Sequence, residues 1–288
     1  MTDMLIKTTP ARTGAPVDFI VLGAMRAGTT ALHGLLARHP GISMARDKET
    51  DYFIAEKNWS RGPDWYRRQF DPSRRLWGEA SPNYAKGRNF PGVPARVARH
   101  APEARLIYVV RDPVRRAVSQ YHHSWTMGVR QALPDDLPGS PDYDSLIDVS
   151  SYACQLDLWH AHFPAEQIQI VDFDALIADP QAQIDRILAH IGAEPMQIAG
   201  LDLQNGGAEL SRVPGPLLKL AWGPMRPLLT AVLGQKSRAA IRRLLAQGPR
   251  RLPPAFPEPV LARMRADLAA DAARFREMTG LEQAHWTV

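Results

Sequence analysis

Cysteine is almost missing from this chain: Cys154 is the single one in 288 residues, so no disulfide can form within it. A lone cysteine of this kind is expected to be a small buried apolar residue. No apolar run approaches the roughly 20 residues of a membrane-spanning helix, and residues 1–17 lack an apolar stretch of signal-peptide type. The expected location is therefore the cytoplasm. No His/Cys group has the spacing of a zinc site, and no internal repeat is visible. Acidic residues are also absent from one long stretch. Between Glu209 and Glu258 there is none, while nine Lys and Arg fall there. The whole chain has a net charge of +5, so the remainder carries −4.

That basic stretch interleaves its charges with Trp222, Met225, Leu228, Leu229, Val232 and Leu233. The mixture suits a solvated helical face packed by its apolar side. It suits equally an amphipathic helix pair over 210–255 on the inner face of a membrane, or a lid over an anionic or lipid-like acceptor. Nucleic-acid binding is disfavoured by the apolar interleaving.

What is present is an alternation of strand and helix signals. Residues 17–23 and 105–110 are apolar without alternation, as in strands buried on both faces. Shorter strands are expected at 76–79 and 167–173, and a short extended segment within 41–57. Helices are expected at 29–38, 93–100, 113–124, 151–162, 180–191 and 259–279, with helical aromatic spacing over 59–70. Residues 132–146 read as a Pro/Asp-rich loop. The expected fold class is α/β: a P-loop-type, mainly parallel central sheet flanked by helices, with a helical basic C-terminal region. Residues 1–16 read as a flexible leader and 17–288 as a single domain. Within it, 204–257 is a variable basic lid or acceptor-side region, and 258–288 carries the C-terminal helix.

Two strand ends carry phosphate chemistry. The first, Gly23-Ala24-Met25-Arg26-Ala27-Gly28-Thr29-Thr30, links a strand to a helix. It is nearly a Walker A loop, but Thr29 stands where the lysine belongs and the cation is moved forward to Arg26. Gly23 and Gly28 let backbone N–H groups turn inward, the helix start adds its dipole, and Thr29 and Thr30 add hydroxyls. Such a loop suits a phosphate ester. A P-loop kinase or NTPase is the alternative, disfavoured by the missing lysine. The second end is Arg111, with Ser119 about two turns into the next helix. A guanidinium fork and a hydroxyl there can hold a second phosphate. Asp112 suits a helix cap better than a magnesium ligand. Two carboxylates have open roles: Glu49 as a base or a surface partner of Lys48, and Glu79 as an acceptor-side group or the partner of a buried arginine. His122 and His123 are structural or contribute to the site.

The chain resembles the sulfotransferases that use 3′-phosphoadenosine 5′-phosphosulfate (PAPS). Gly23 to Leu32 is similar to their 5′-phosphosulfate loop, and Arg111-Asp-Pro-Val-Arg-Arg-Ala-Val-Ser-Gln-Tyr121 to their R-D-P-x-x-R-A-x-S-x-Y motif for the 3′-phosphate. Lys48-Glu49-Thr-Asp-Tyr-Phe53, Asp64-Trp65-Tyr66 and Gly78-Glu79-Ala-Ser-Pro-Asn-Tyr84 resemble landmarks of the heparan-sulfate and bacterial carbohydrate branch. So do Tyr152, Leu156 and Trp159, and the ending Leu281 to Trp286. The resemblance covers roughly 17–192 and 258–288. Arg26 stands on the family's lysine, the disulfide-bearing loop of the Golgi enzymes is absent, and 204–257 has no counterpart.

The resemblance implies transfer of the sulfuryl group of PAPS to a hydroxyl or amine of a carbohydrate, glycolipid or small-molecule acceptor, releasing PAP without a metal. It implies Glu49 as the catalytic base and Arg26 as the group that stabilises charge on the leaving oxygens. Arg26, Ala27, Gly28, Thr29 and Thr30 would bind the 5′ end of the cofactor. Arg111 and Ser119 would bind its 3′-phosphate, with Tyr152 also on the cofactor. Lys48 and Glu79 would lie on the acceptor side.

Overall fold

The strand β1, Phe19–Gly23, is buried at all five positions, and this follows from its composition. Phe19, Ile20, Val21 and Leu22 are fully enclosed, each contributing about 1.5–3 kcal/mol by burial. The computed structural model describes residues 16–129, 132–200 and 252–288. Residues 1–15 and most of the basic 204–257 segment lie outside the described residues. The chain forms two compact units, residues 1–110 with 154–202, and residues 111–153 with 203–288.

The first unit holds the sheet. After β1 come α1 (Thr29–Leu36), β2 (Ile42–Met44), a 3₁₀ turn at Trp59–Arg61, α2 (Gly62–Arg67) and β3 (Leu76–Ala80). Then follow α3 (Val93–His100) and β4 (Arg105–Val110). The strand order is β2-β3-β1-β4, closed on its far side by a fifth strand, β5 (Ile168–Asp172). Every pairing is parallel. β1 sits centrally, with Ile20 opposite Glu79 of β3 and Leu106 of β4. Because the strands are parallel, Gly23, Ala80 and Val110 end at the same edge of the sheet. In such sheets ligands bind beyond this carboxyl edge. Gly78 allows the close approach of β3 to β1: a Cβ there would lie 2.0 Å from the Phe19 ring.

The second unit is helical. α4 (Pro113–Thr126) and α5 (Pro141–Ser150) pack with the C-terminal helix (Glu258–Thr279) around Val114, Tyr121, Leu146, Met264 and Leu268. α5 lies largely where a Pro/Asp-rich loop was expected. Its start has a cap the sequence reading passed over. Ser140 accepts from the Tyr143 N–H at 3.2 Å, Pro141 occupies the first turn, and Asp142 and Asp144 suit the positive helix end.

α6 (Tyr152–His160) leads back to the sheet unit, where α7 (Phe173–Ala178) and α8 (Pro180–His190) follow β5. α7 was not expected; Asp172 ends the strand and caps that helix by accepting from Asp174 and Ala175 N–H. Cys154 is exposed rather than buried, because α6 turns Tyr152, Leu156 and Trp159 inward and leaves Cys154 outside. α9 (Glu258–Thr279) ends at Gly280 in the left-handed conformation, φ 66°, as a helix C-terminus favours. Among the described residues no helix is long and apolar enough to cross a membrane.

Candidate active site

The loop after β1 folds tightly. Ala24 N–H donates to Val109 O at 2.6 Å, and Ala27 N–H to Ala24 O at 3.1 Å. Arg26 is held at φ 71° with its side chain exposed, the kind of backbone strain that collects at ligand-binding loops. Gly28 precedes α1 at φ 87°, and a Cβ there would lie 2.6 Å from the Phe173 ring. No side chain caps α1. Its first-turn N–H groups and positive dipole end therefore face the loop, as an anion requires. Of the loop residues expected to touch the cofactor, Thr30 is exposed, Thr29 is 4% exposed and Ala27 is fully buried. Ala27 closes the turn with its own N–H.

Glu49 stands at the same edge of the sheet. Its N–H donates to Ala80 O, the last residue of β3, at 3.2 Å, while Ser81 N–H donates to Val21 O of β1 at 3.1 Å. Glu49 has φ 65° and an accessible carboxylate, and Lys48 Nζ lies 2.5 Å from its Oε1. The pair joins the two readings of Glu49: a surface partner of Lys48, and a carboxylate open to an incoming hydroxyl. His33 on α1 senses both. Burial pushes its imidazole below the ordinary range, the Lys48 charge adds to this, and Glu49 opposes it. The sequence carried no signal for His33 at this place.

Asp51 lies two residues on, at φ 47° and buried. Its carboxylate accepts from Asn83 Nδ2 at 2.9 and 3.1 Å and pairs with Lys57 Nζ at 2.5 Å. Lys86 Nζ donates to Asn83 Oδ1 at 2.7 Å. This group was not singled out from the sequence. A resemblance confined to a six-residue motif does not reveal that Asn83 and Lys57 meet at Asp51.

Glu79 requires a correction. It is 0% exposed next to the last residue of β3, so its carboxylate is not presented to an acceptor. Nor is an arginine its partner. Thr50, Tyr66, Ser81 and Tyr84 donate their hydroxyls to it, the tyrosines at 2.6 and 3.0 Å and Ser81 at 2.8 Å. Burial pushes its pKa up, and the four hydroxyls pull it back.

The second unit carries the second phosphate motif. Asp112 is fully buried and caps α4, accepting from Arg115 N–H at 2.7 Å and from Thr287 N–H at 2.5 Å. Arg111 and Ser119 are both half-buried. Tyr152 is 1% exposed, and its hydroxyl donates to Arg111 O at 2.9 Å. Its ring packs 5.7 Å from both Phe275 and Trp286. Tyr152 thus holds the backbone of Arg111 rather than offering a surface of its own to the cofactor. Arg116, the motif's other arginine, is fully buried and donates to Ser150 Oγ, Gln120 Oε1 and Leu146 O. It ties α4 to α5. His122 faces Pro254 O and the Phe256 ring.

Comparison with known proteins identifies the family. The sulfotransferase domain model matches residues 16–199. Human heparan sulfate glucosamine 3-O-sulfotransferase 3B1 is 31% identical over 222 residues, covering 72% of this chain and 53% of that protein. Mouse heparan sulfate glucosamine 3-O-sulfotransferase 6 is 27% identical over 290 residues, covering 94% of this chain and 74% of its own length. The chain spans about half the length of the first curated relatives it matches. Among solved structures, a sulfotransferase from Alicyclobacillus acidocaldarius shares the fold, with a TM-score of 0.64 at 20% identity, over 96% of this chain and 100% of that one. The chain belongs to the sulfotransferase domain family.

Proposed function

We propose that this chain transfers the sulfuryl group of PAPS to a carbohydrate hydroxyl and releases PAP. The observation that carries the reading is the uncapped start of α1 beneath the Gly23–Gly28 turn, with exposed Arg26 inside the loop and Thr29 where a nucleotide triphosphatase has its lysine. That end of the helix stabilises the 5′-phosphosulfate, with Arg26 on the charge that develops on the leaving oxygens. Arginine does not give up its proton, so Arg26 acts through charge and hydrogen bonds alone. The guanidinium of Arg111 and the hydroxyl of Ser119 take the 3′-phosphate, with Tyr152 fixing the Arg111 backbone. Glu49 removes the proton of the acceptor hydroxyl as its oxygen attacks sulfur in line. Lys48 holds the Glu49 carboxylate until the acceptor arrives. PAPS supplies the activated sulfuryl group, and no resident metal enters the scheme.

The relatives' names support a carbohydrate acceptor. We place the protein in the cytoplasm, with the basic 210–255 segment as its contact to a membrane face or to an anionic acceptor. The test is calorimetry with PAP, followed by turnover of PAPS with heparan sulfate and with simpler glycans. PAP binding without competition from ATP–Mg is expected. Glu49→Ala should abolish turnover yet keep PAP affinity, whereas Arg26→Ala should lower both and Arg26→Lys retain both. A chain that binds ATP–Mg and not PAP would overturn the assignment.

A further inference from the structure

Glu79 lies in β3 without exposed surface, yet three of the four hydroxyls around it lead on to the backbone that follows Glu49. Three of its four donors also accept. Ser81 Oγ accepts from the Asp51 N–H at 3.2 Å, Thr50 Oγ1 from the Tyr52 N–H at 3.3 Å, and the Tyr84 hydroxyl from the Phe53 N–H at 3.1 Å. Three consecutive backbone N–H groups, starting two residues after Glu49, therefore end on one buried carboxylate through one hydroxyl each. The fourth donor, Tyr66, stacks on Tyr52 with ring centroids 4.3 Å apart, which fixes that residue's side chain as well.

The direction of the protons matters. An ionised carboxylate only accepts, and its two oxygens offer about four lone-pair positions, which the four hydroxyls fill. Each hydroxyl can then take the backbone N–H on its remaining lone pair. Hydrogen bonds chained in one direction in a poorly polarisable interior strengthen one another. Glu49 and Asp51 both stand at positive φ, a strained conformation for residues with side chains. Such a turn persists only where its surroundings over-determine it, and the three relays supply that.

We propose that Glu79 is the positioning residue of the Glu49 turn: through the hydroxyls of Ser81, Thr50 and Tyr84 its carboxylate fixes the N–H groups of residues 51–53, and so sets where the Glu49 carboxylate stands. The catalytic consequence rests on Glu49 being the base; the relays do not. Glu79→Gln keeps the shape but puts an NH₂ donor where one oxygen accepted, so hydroxyls must reverse and their N–H partners lose hold.

The test is amide hydrogen exchange by NMR on the full chain. In Glu79→Gln the amides of Asp51, Tyr52 and Phe53 should exchange about tenfold faster or more, with α1 and β4 amides unchanged. Single relays give a finer prediction, available even if that variant does not fold. Ser81→Ala should release Asp51 and not Phe53; Tyr84→Phe should release Phe53 and not Asp51. Thr50→Val should release Tyr52, and Thr50→Ser should restore it. With heparan sulfate as acceptor probe, kcat of Glu79→Gln should fall about 100-fold, as for a displaced catalytic group, while PAP affinity by calorimetry holds within about twofold. Unchanged protection at 51–53, or release that ignores which hydroxyl was removed, overturns the proposal. Site-matched release with unaltered kcat overturns its catalytic half. If the wild-type chain binds no PAP yet shows the site-matched pattern, the sulfotransferase reading falls and the relays stand.

Discussion

Replacing Gly28 by alanine tests the loop directly, because two separable costs meet at that atom. The first is conformational. Gly28 has φ 87° and ψ 9°, and an L-residue in this left-handed region costs about 1–2 kcal/mol. The second is steric. The new Cβ would stand 2.6 and 2.7 Å from two carbons of the Phe173 ring, where normal contact needs about 3.5 Å or more. Forcing such a group in costs typically about 1–3 kcal/mol. The sum is about 2–5 kcal/mol. A Phe173→Ala background removes only the steric part, so there Gly28→Ala should cost about 1–2 kcal/mol. Urea unfolding of the four proteins gives the coupling as a double-mutant cycle, and calorimetry with PAP gives the functional effect. PAP affinity should drop in Gly28→Ala and recover partly in the double variant. Equal costs in both backgrounds would show that Phe173 does not crowd Gly28. No cost in either would refute the loop conformation itself.

Other substitutions probe the second unit and the histidines. Arg116→Met should destabilise the helical unit by at least about 2 kcal/mol, read from urea midpoints, because the Leu146 carbonyl loses its donor. Tyr152→Phe keeps the ring packing and loses the bond to Arg111 O; PAP affinity should fall about fivefold, the equivalent of about 1 kcal/mol. His190, whose Nε2–H donates to Leu106 O at 3.1 Å, has its pKa pushed down by burial. The unfolded chain thus binds a proton there more readily than the folded one. Stability should fall as pH drops through about 6.5 and below, and His190→Gln should flatten that part of the urea-midpoint profile.

Local pattern made much of the architecture readable. β1 and β4 are apolar runs without polar alternation, which only strands covered on both faces tolerate, and both lie where expected. α4 was marked by Asp112-Pro113, a cap and a first-turn proline. The same signal at Ser140-Pro141 was missed because it lies inside a Pro/Asp-rich run whose acidic residues resemble a loop until the cap is recognised. Cys154 shows a different limit. Its exposure depends on the rotational phase of α6, which the packing of Leu156 and Trp159 decides.

The two segments proposed to hold the phosphates, and Glu49 as the proposed base, could be picked out from residue order, since each lies in a contiguous segment with its own chemistry. Family membership follows from the same segments. The surroundings of Glu79 could not be read this way. Its partners come from the turn at 50, the helix at 66 and the turn at 81–84, and no period or spacing links them. Only the parallel pairing of β3 with β1 and the folding of the Glu49 turn over Ala80 bring their hydroxyls onto one carboxylate. A strand position that looked like a ligand-facing acid is therefore an internal one. Hydrogen-bond geometry depends on three-dimensional placement to within fractions of an ångström, and residue order does not carry that information.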